Sequence, residues 1–145
     1  MGRFQVLLLL LAVSGPLVES LTTFRVNGTV TCATGKDFRV HVILMEDDDL
    51  GSDNMIAVQH TATARGTATF TLVGDQDDDV GVEYEPYLRI IHTCRNPENP
   101  KALTYEIPLG DVKKLRRYFD LYNYNVDITN KGEENYSIGG KSKFH

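Results

Sequence analysis

Wherever this chain carries a pattern, its period is two. Phe24, Val26, Val30 and Cys32 alternate with Thr23, Arg25, Asn27, Thr29 and Thr31. Phe38, Val40, Val42 and Leu44 share one parity, with Arg39 and His41 on the other. Ala68, Phe70 and Leu72 interleave with Thr67, Thr69 and Thr71. Leu88, Ile90, His92 and Cys94 oppose Tyr87, Arg89, Ile91 and Thr93. The parity then switches to Leu103, Tyr105, Ile107 and Leu109, and Val126 and Ile128 end the series. Successive side chains of a strand point to opposite faces, so each run reads as a strand with one buried side. Gly28 falls inside the first run and marks a bulge or a close backbone approach. Between the runs stand turn-rich segments, among them Gly51-Ser52-Asp53-Asn54, residues 74–79 and the proline-bounded Asn96-Pro97-Glu98-Asn99-Pro100. No segment keeps helical spacing; residues 109–119 are the best candidate for a short helix or an irregular stretch. Many short strands with such turns predict an all-β sandwich.

The first 20 residues have a different character. Arg3 gives a positive start, residues 6–13 form an unbroken apolar run, Gly15 and Pro16 break it, and Val18-Glu19-Ser20 offers small side chains. This is the order of a secretory signal, with cleavage expected after Ser20. The run is well short of the roughly 20 apolar residues of a spanning helix. The expected organisation is a signal peptide at 1–20, one β domain at 21–129 and a flexible tail at 130–145, where no core pattern remains. The chain is secreted on this reading, and its two cysteines, Cys32 and Cys94, pair in an oxidising compartment. Closing a loop of about 60 residues stabilises by roughly 4 kcal/mol in the chain-entropy model.

Net charge is −5, and Arg3 and Glu19 of the signal cancel, so the domain is mildly acidic. A nucleic-acid-binding domain is normally basic, which argues against that partner.

Several segments resemble the nematode transthyretin-like family. They are Val26-Asn27-Gly28-Thr29-Val30-Thr31-Cys32, the strand from Val40 with its Glu46-Asp47-Asp48, residues 63–70, and above all Glu85-Pro86-Tyr87-Leu88-Arg89-Ile90-Ile91-His92-Thr93-Cys94. The last is similar to that family's Pro-Tyr-Leu…His-x-Cys signature. Ile107-Pro108 and Tyr118-Phe119-Asp120-Leu121 fit its later strands. Tyr122-Asn123-Tyr124-Asn125 stands where glycine is common, and the second cysteine pair of some members is lacking. The resemblance covers roughly residues 23–129. It implies a prealbumin-like β-sandwich of about seven to eight strands with one disulfide. It also implies a secreted binding protein, since members have been linked to exposed phosphatidylserine and to bridging it to a cell-surface receptor.

The one dense basic cluster is Lys113, Lys114, Arg116 and Arg117, followed by Tyr118. Such cations hold anionic head groups, arginine can take phosphate through two donors, and tyrosine suits the lipid interface. The competing reading is a solvated basic face. Two acidic loops, one with Asp47, Asp48 and Asp49 and one with Asp77, Asp78 and Asp79, are the only segments rich enough in oxygen for calcium, but neither has EF-hand spacing. Solvated loops are the plainer reading of both. His41, His60 and His92 are scattered, and His92 reads as a structural histidine. Asn27-Gly28-Thr29 and Asn135-Tyr136-Ser137 are glycosylation sequons, at Asn27 and Asn135. No cofactor-binding motif is present.

Three functions compete. The favoured one is an extracellular adaptor binding phosphatidylserine or another anionic phospholipid and presenting it to a receptor, as in the clearance of dying cells. The second is a carrier of a small lipophilic ligand, by analogy of fold with transthyretin. The third is a hydrolase of ureides; those enzymes share the fold but end in a Tyr-Arg-Gly-Ser-type motif, and residues 136–140 here read Tyr-Ser-Ile-Gly-Gly. A non-enzymatic role is expected.

Overall fold

A computed structural model describes residues 21–48, 51–77, 83–97, 101–114 and 116–134. Residues 1–20, expected to be a signal peptide, and residues 135–145 lie outside the described residues. Every element is a strand: β1 (Thr22–Thr31), β2 (Asp37–Glu46), β3 (Asn54–Arg65), β4 (Thr67–Gln76), β5 (Glu83–Tyr84), β6 (Pro86–His92), β7 (Leu103–Pro108), β8 (Val112–Lys113) and β9 (Tyr118–Asp127). The described residues between 109 and 119 therefore hold no helix. They include the two-residue strand β8, a turn residue at Lys114 and the start of β9.

Seven strands form one hydrogen-bonded order, β7-β6-β2-β3-β4-β1-β9, and β5 pairs with β8 as a small ribbon. The order folds over on itself between β3 and β4. Their ladder is confined to Arg65↔Thr67, beside the turn at Gly66. Beyond it the strands part, and the Gln59 side chain bridges the gap. It donates Nε2–H to the Thr69 carbonyl at 3.1 Å and accepts the Thr71 N–H at 2.7 Å. One layer is then β7-β6-β2-β3 and the other β4-β1-β9.

The core fills the space between them. Phe24, Val26 and Val30 of β1 and Phe70 and Leu72 of β4 meet Val40, Val42 and Leu44 of β2 and Leu88 and Ile90 of β6. These are the even-numbered faces that the alternation selects, and each side chain contributes about 1.5–3 kcal/mol by leaving water. The Cys32–Cys94 disulfide joins the ends of β1 and β6 across the layers, with Cα atoms 5.8 Å apart and both residues buried. The chain is thus an all-β sandwich with one disulfide.

All neighbouring pairs are antiparallel except β1 with β9. The β1–β9 register shifts between Val26 and Gly28. A Cβ on Gly28 would lie 1.8 Å from the Tyr124 carbonyl oxygen, so only glycine lets β9 come this close.

Order continues past the expected domain end. Asn130 N–H donates to the Cys94 carbonyl at 3.1 Å, and its Oδ1 accepts the Asn96 N–H at 2.6 Å. Glu133 pairs with Thr104, while Glu134 bonds Arg95 at 2.8 Å and Lys101 at 3.5 Å. Gly132 has φ +95°, and a Cβ there would lie 2.3 Å from the Thr104 carbonyl oxygen. Residues 130–134, expected as the start of a flexible tail, are instead docked on β7 and the end of β6. Backbone hydrogen bonds carry this docking, and they leave no apolar period to read.

Candidate functional site

The basic turn follows β8 directly. Arg116 N–H closes it on the Lys113 carbonyl at 2.9 Å. Two bonds then tie it to the start of β1: Thr22 Oγ1–H donates to the Arg116 carbonyl at 2.8 Å, and Thr23 N–H to the Arg117 carbonyl at 2.9 Å. The parallel pairing Thr23↔Tyr118 continues this anchoring into β9. Arg116 and Arg117 are thereby anchored to β1 through their backbone carbonyls.

Lys113, Arg116 and Arg117 are exposed, and none of the three is in an ion pair among the described residues. Tyr118 is 53% exposed beside them. Lys114 is directed differently: its Nζ lies 5.0 Å from the ring centre of buried Tyr84, whose hydroxyl donates to the Gln76 carbonyl. Three of the four clustered cations thus face solvent freely, and the fourth covers an aromatic ring.

Arg25 joins this surface from β1, its guanidinium 4.6 Å from the Tyr118 ring centre and 3.7 Å from Asp120. Sequence alone marks Arg25 only as a polar-face residue, because its neighbour comes from the parallel β1–β9 pairing. Leu21, 49% exposed, stands at the same end of β1. The combination is a partly aromatic cationic surface. It suits an anionic, partly apolar ligand, with each cation near a charged surface worth about 1 kcal/mol.

The acidic segments fall elsewhere. Asp47 and Asp53 are buried, in contrast to the solvated loop expected there; Asp48 is half-buried and Asp77 exposed. Asp49, Asp78 and Asp79 lie outside the described residues. Asp47 borders a cavity of about 280 Å³ with Glu85, Tyr87 and Asp111. Among the described residues no group of three or more His, Cys, Asp or Glu is placed to hold a metal ion.

Asp53 belongs to a buried network that sequence patterning misses. Tyr87 O–H donates to Asp53 Oδ2 at 2.5 Å. Arg89 donates to the Tyr87 oxygen at 2.8 Å and through Nε to Glu106 at 2.7 Å. Burial, then the Asp53 hydrogen bond, push the Tyr87 phenol far above its ordinary value.

His92 is buried, as a structural histidine should be. Its Nδ1 accepts the Cys94 N–H at 3.1 Å, so Nε2 carries the proton and donates to the Lys131 carbonyl at 3.0 Å. His41 and His60 face each other across β2 and β3. Asn27 is half-buried on β1, its Oδ1 accepting the Asn123 N–H at 3.0 Å. Asn135 lies outside the described residues.

The family model TTR-52, of the transthyretin-like family, matches residues 27–108, more than half of the chain's 145 residues. The chain belongs to the transthyretin-like family. No curated protein and no solved structure matches it. The transthyretin-like match takes in both cysteines, the Pro86–His92 strand and the Asp53–Tyr87–Arg89–Glu106 network. It stops before residues 113–118. The basic turn is therefore outside the segment on which this transthyretin-like chain is matched, and it has to be judged on its own geometry.

Proposed function

We propose that this protein is a secreted, non-enzymatic adaptor that binds exposed phosphatidylserine, or another anionic phospholipid, and presents it to a cell-surface receptor. The observation carrying this reading is the anchored turn with Lys113, Arg116 and Arg117 exposed around Tyr118. Membership in a family of non-enzymatic binding proteins supports a binding role over catalysis. The export signal read at residues 1–20 supports an extracellular site of action. Contact is peripheral: cations meet head groups while the tyrosine ring sits at the interface. Binding is proposed to need no calcium, because the cations themselves supply the positive charge.

Flotation of the purified protein with phosphatidylserine-containing and phosphatidylcholine-only vesicles, with and without calcium, tests this. Selective flotation with phosphatidylserine in both conditions is the expected result. Absence of flotation with either vesicle removes the lipid reading, and flotation only with calcium moves the site away from the basic turn.

A further inference from the structure

His41 and His60 are 19 residues apart in sequence and directly opposite in the β2–β3 ladder. Their Nδ1 atoms approach to 2.5 Å, with ring centres 4.4 Å apart and planes at 80°. Two imidazole nitrogens can meet head-on only if one carries a proton and the other offers its lone pair. The contact therefore marks a point at which both Nδ1 lone pairs can be aimed, and a metal ion can stand there in place of the shared proton. His60 is exposed and His41 half-buried, so the point is open to solvent.

We propose that His41 and His60 form a binding site for a borderline divalent transition ion, zinc or copper. Imidazole suits both ions. Bonds of about 2.0–2.1 Å meeting at a tetrahedral angle place the two nitrogens about 3.3 Å apart. Opening the present contact by roughly 0.8 Å achieves this through small ring rotations. The backbone supplies the rest. The two residues sit in the middle of long paired strands, where Cβ separations of opposite residues are fixed at about 4.5–5.5 Å. Two imidazoles leave open coordination positions for water or for a donor from another molecule. Ile91 stands opposite His41 on β6, the pair Ile43 and Val58 lies two residues along the same face, and Arg39 lies two residues the other way along β2. Arg39 supplies no ligand and its charge holds the affinity below that of a closed four-ligand site. Calcium and magnesium, which demand oxygen donors, are excluded from this site.

Calorimetric titration of the full-length protein with zinc, copper and magnesium, alongside the His60→Gln, His41→Asn and His145→Gln variants, tests the site. Expected is one-to-one binding of zinc and copper but not magnesium, lost in His60→Gln and in His41→Asn and kept in His145→Gln. Imidazole nitrogen resonances of His41 and His60 shift on adding zinc while those of buried His92 do not. The proposal is overturned if the wild-type protein binds neither transition ion, or if His60→Gln, shown to be folded by its amide spectrum, binds them as well as wild type.

Discussion

The Nε2–H of His92 and the carbonyl of Lys131 are hydrogen-bonded at 3.0 Å, joining the end of β6 to the segment that follows β9. Burial lowers the pKa of His92 from 6.5 to about 4, with the Lys131 bond opposing it. The unfolded chain thus takes up this proton first as pH falls. The stabilisation is fully present above about 6.5 and is lost as pH falls from there through about 4. The shift is worth on the order of 3 kcal/mol at most. Denaturant unfolding at pH 7, 5.5 and 4.5 should show the decline, and His92→Gln should be less stable at pH 7 but decline less across that range, the remainder coming from carboxylates such as Glu134.

The exposed cations are not equivalent to Lys114. Replacing Arg116 or Arg117 by alanine should weaken partitioning onto phosphatidylserine vesicles by about fivefold each, from roughly 1 kcal/mol per cation. Lys114→Ala should do less to partitioning and more to stability, because its ammonium lies over Tyr84. Vesicle sedimentation and thermal unfolding on the same three variants separate the two effects. Equal loss of binding in all three would show the cluster acting as undifferentiated charge.

Tyr87→Phe removes the hydrogen bond donated to Asp53 at 2.5 Å and leaves the carboxylate buried. A cost of about 1–3 kcal/mol is expected. Arg89→Met removes the buried cation facing Glu106 and Asp53 and should cost more, about 3–5 kcal/mol. The double variant should cost less than the sum, since both acts break one network. Urea unfolding of the three proteins reads this directly.

Gly28→Ala drives a methyl group into the Tyr124 carbonyl. The expected effect is local: amide protection should fall along β9 and the adjacent half of β1 while β2 and β6 keep theirs. Uniform loss across both layers would mean that β9 is not separable from the rest of the sandwich.

Much of the architecture was legible because the strands that build the core alternate strictly. Phe24, Val26, Val30, Phe70, Leu72, Val40, Val42, Leu44, Leu88 and Ile90 are all buried, and so is the disulfide. Strand β3 was not legible: no residue of it is fully buried, its large apolar residues Met55, Ile56 and Val58 are confined to its start, and bulges interrupt its register with β2. Strand β9 was legible only at its ends, through Tyr118–Leu121 and Val126, because it is an edge strand whose middle is tyrosine and asparagine. The basic cluster stood out by charge density alone, whereas the partial withdrawal of Lys114 and the arrival of Arg25 depend on tertiary contacts. Asp53 misled, because its burial is set by Tyr87 and Arg89, more than thirty residues further on.

The parallel pairing of β1 with β9 makes the first strand wait for the last. On a chain emerging from the ribosome, β1 can acquire β4 as soon as residue 76 is free, but its other edge stays open until residue 127 has followed. Through that interval a strand with alternating Val26 and Val30 offers unpaired backbone to any extended peptide nearby, the situation that favours wrong association. A stop anywhere between residues 94 and 117 would yield a chain holding both cysteines and much of the core, yet with this edge permanently open. Such a fragment should aggregate, so the solubility of this protein depends on its final strand.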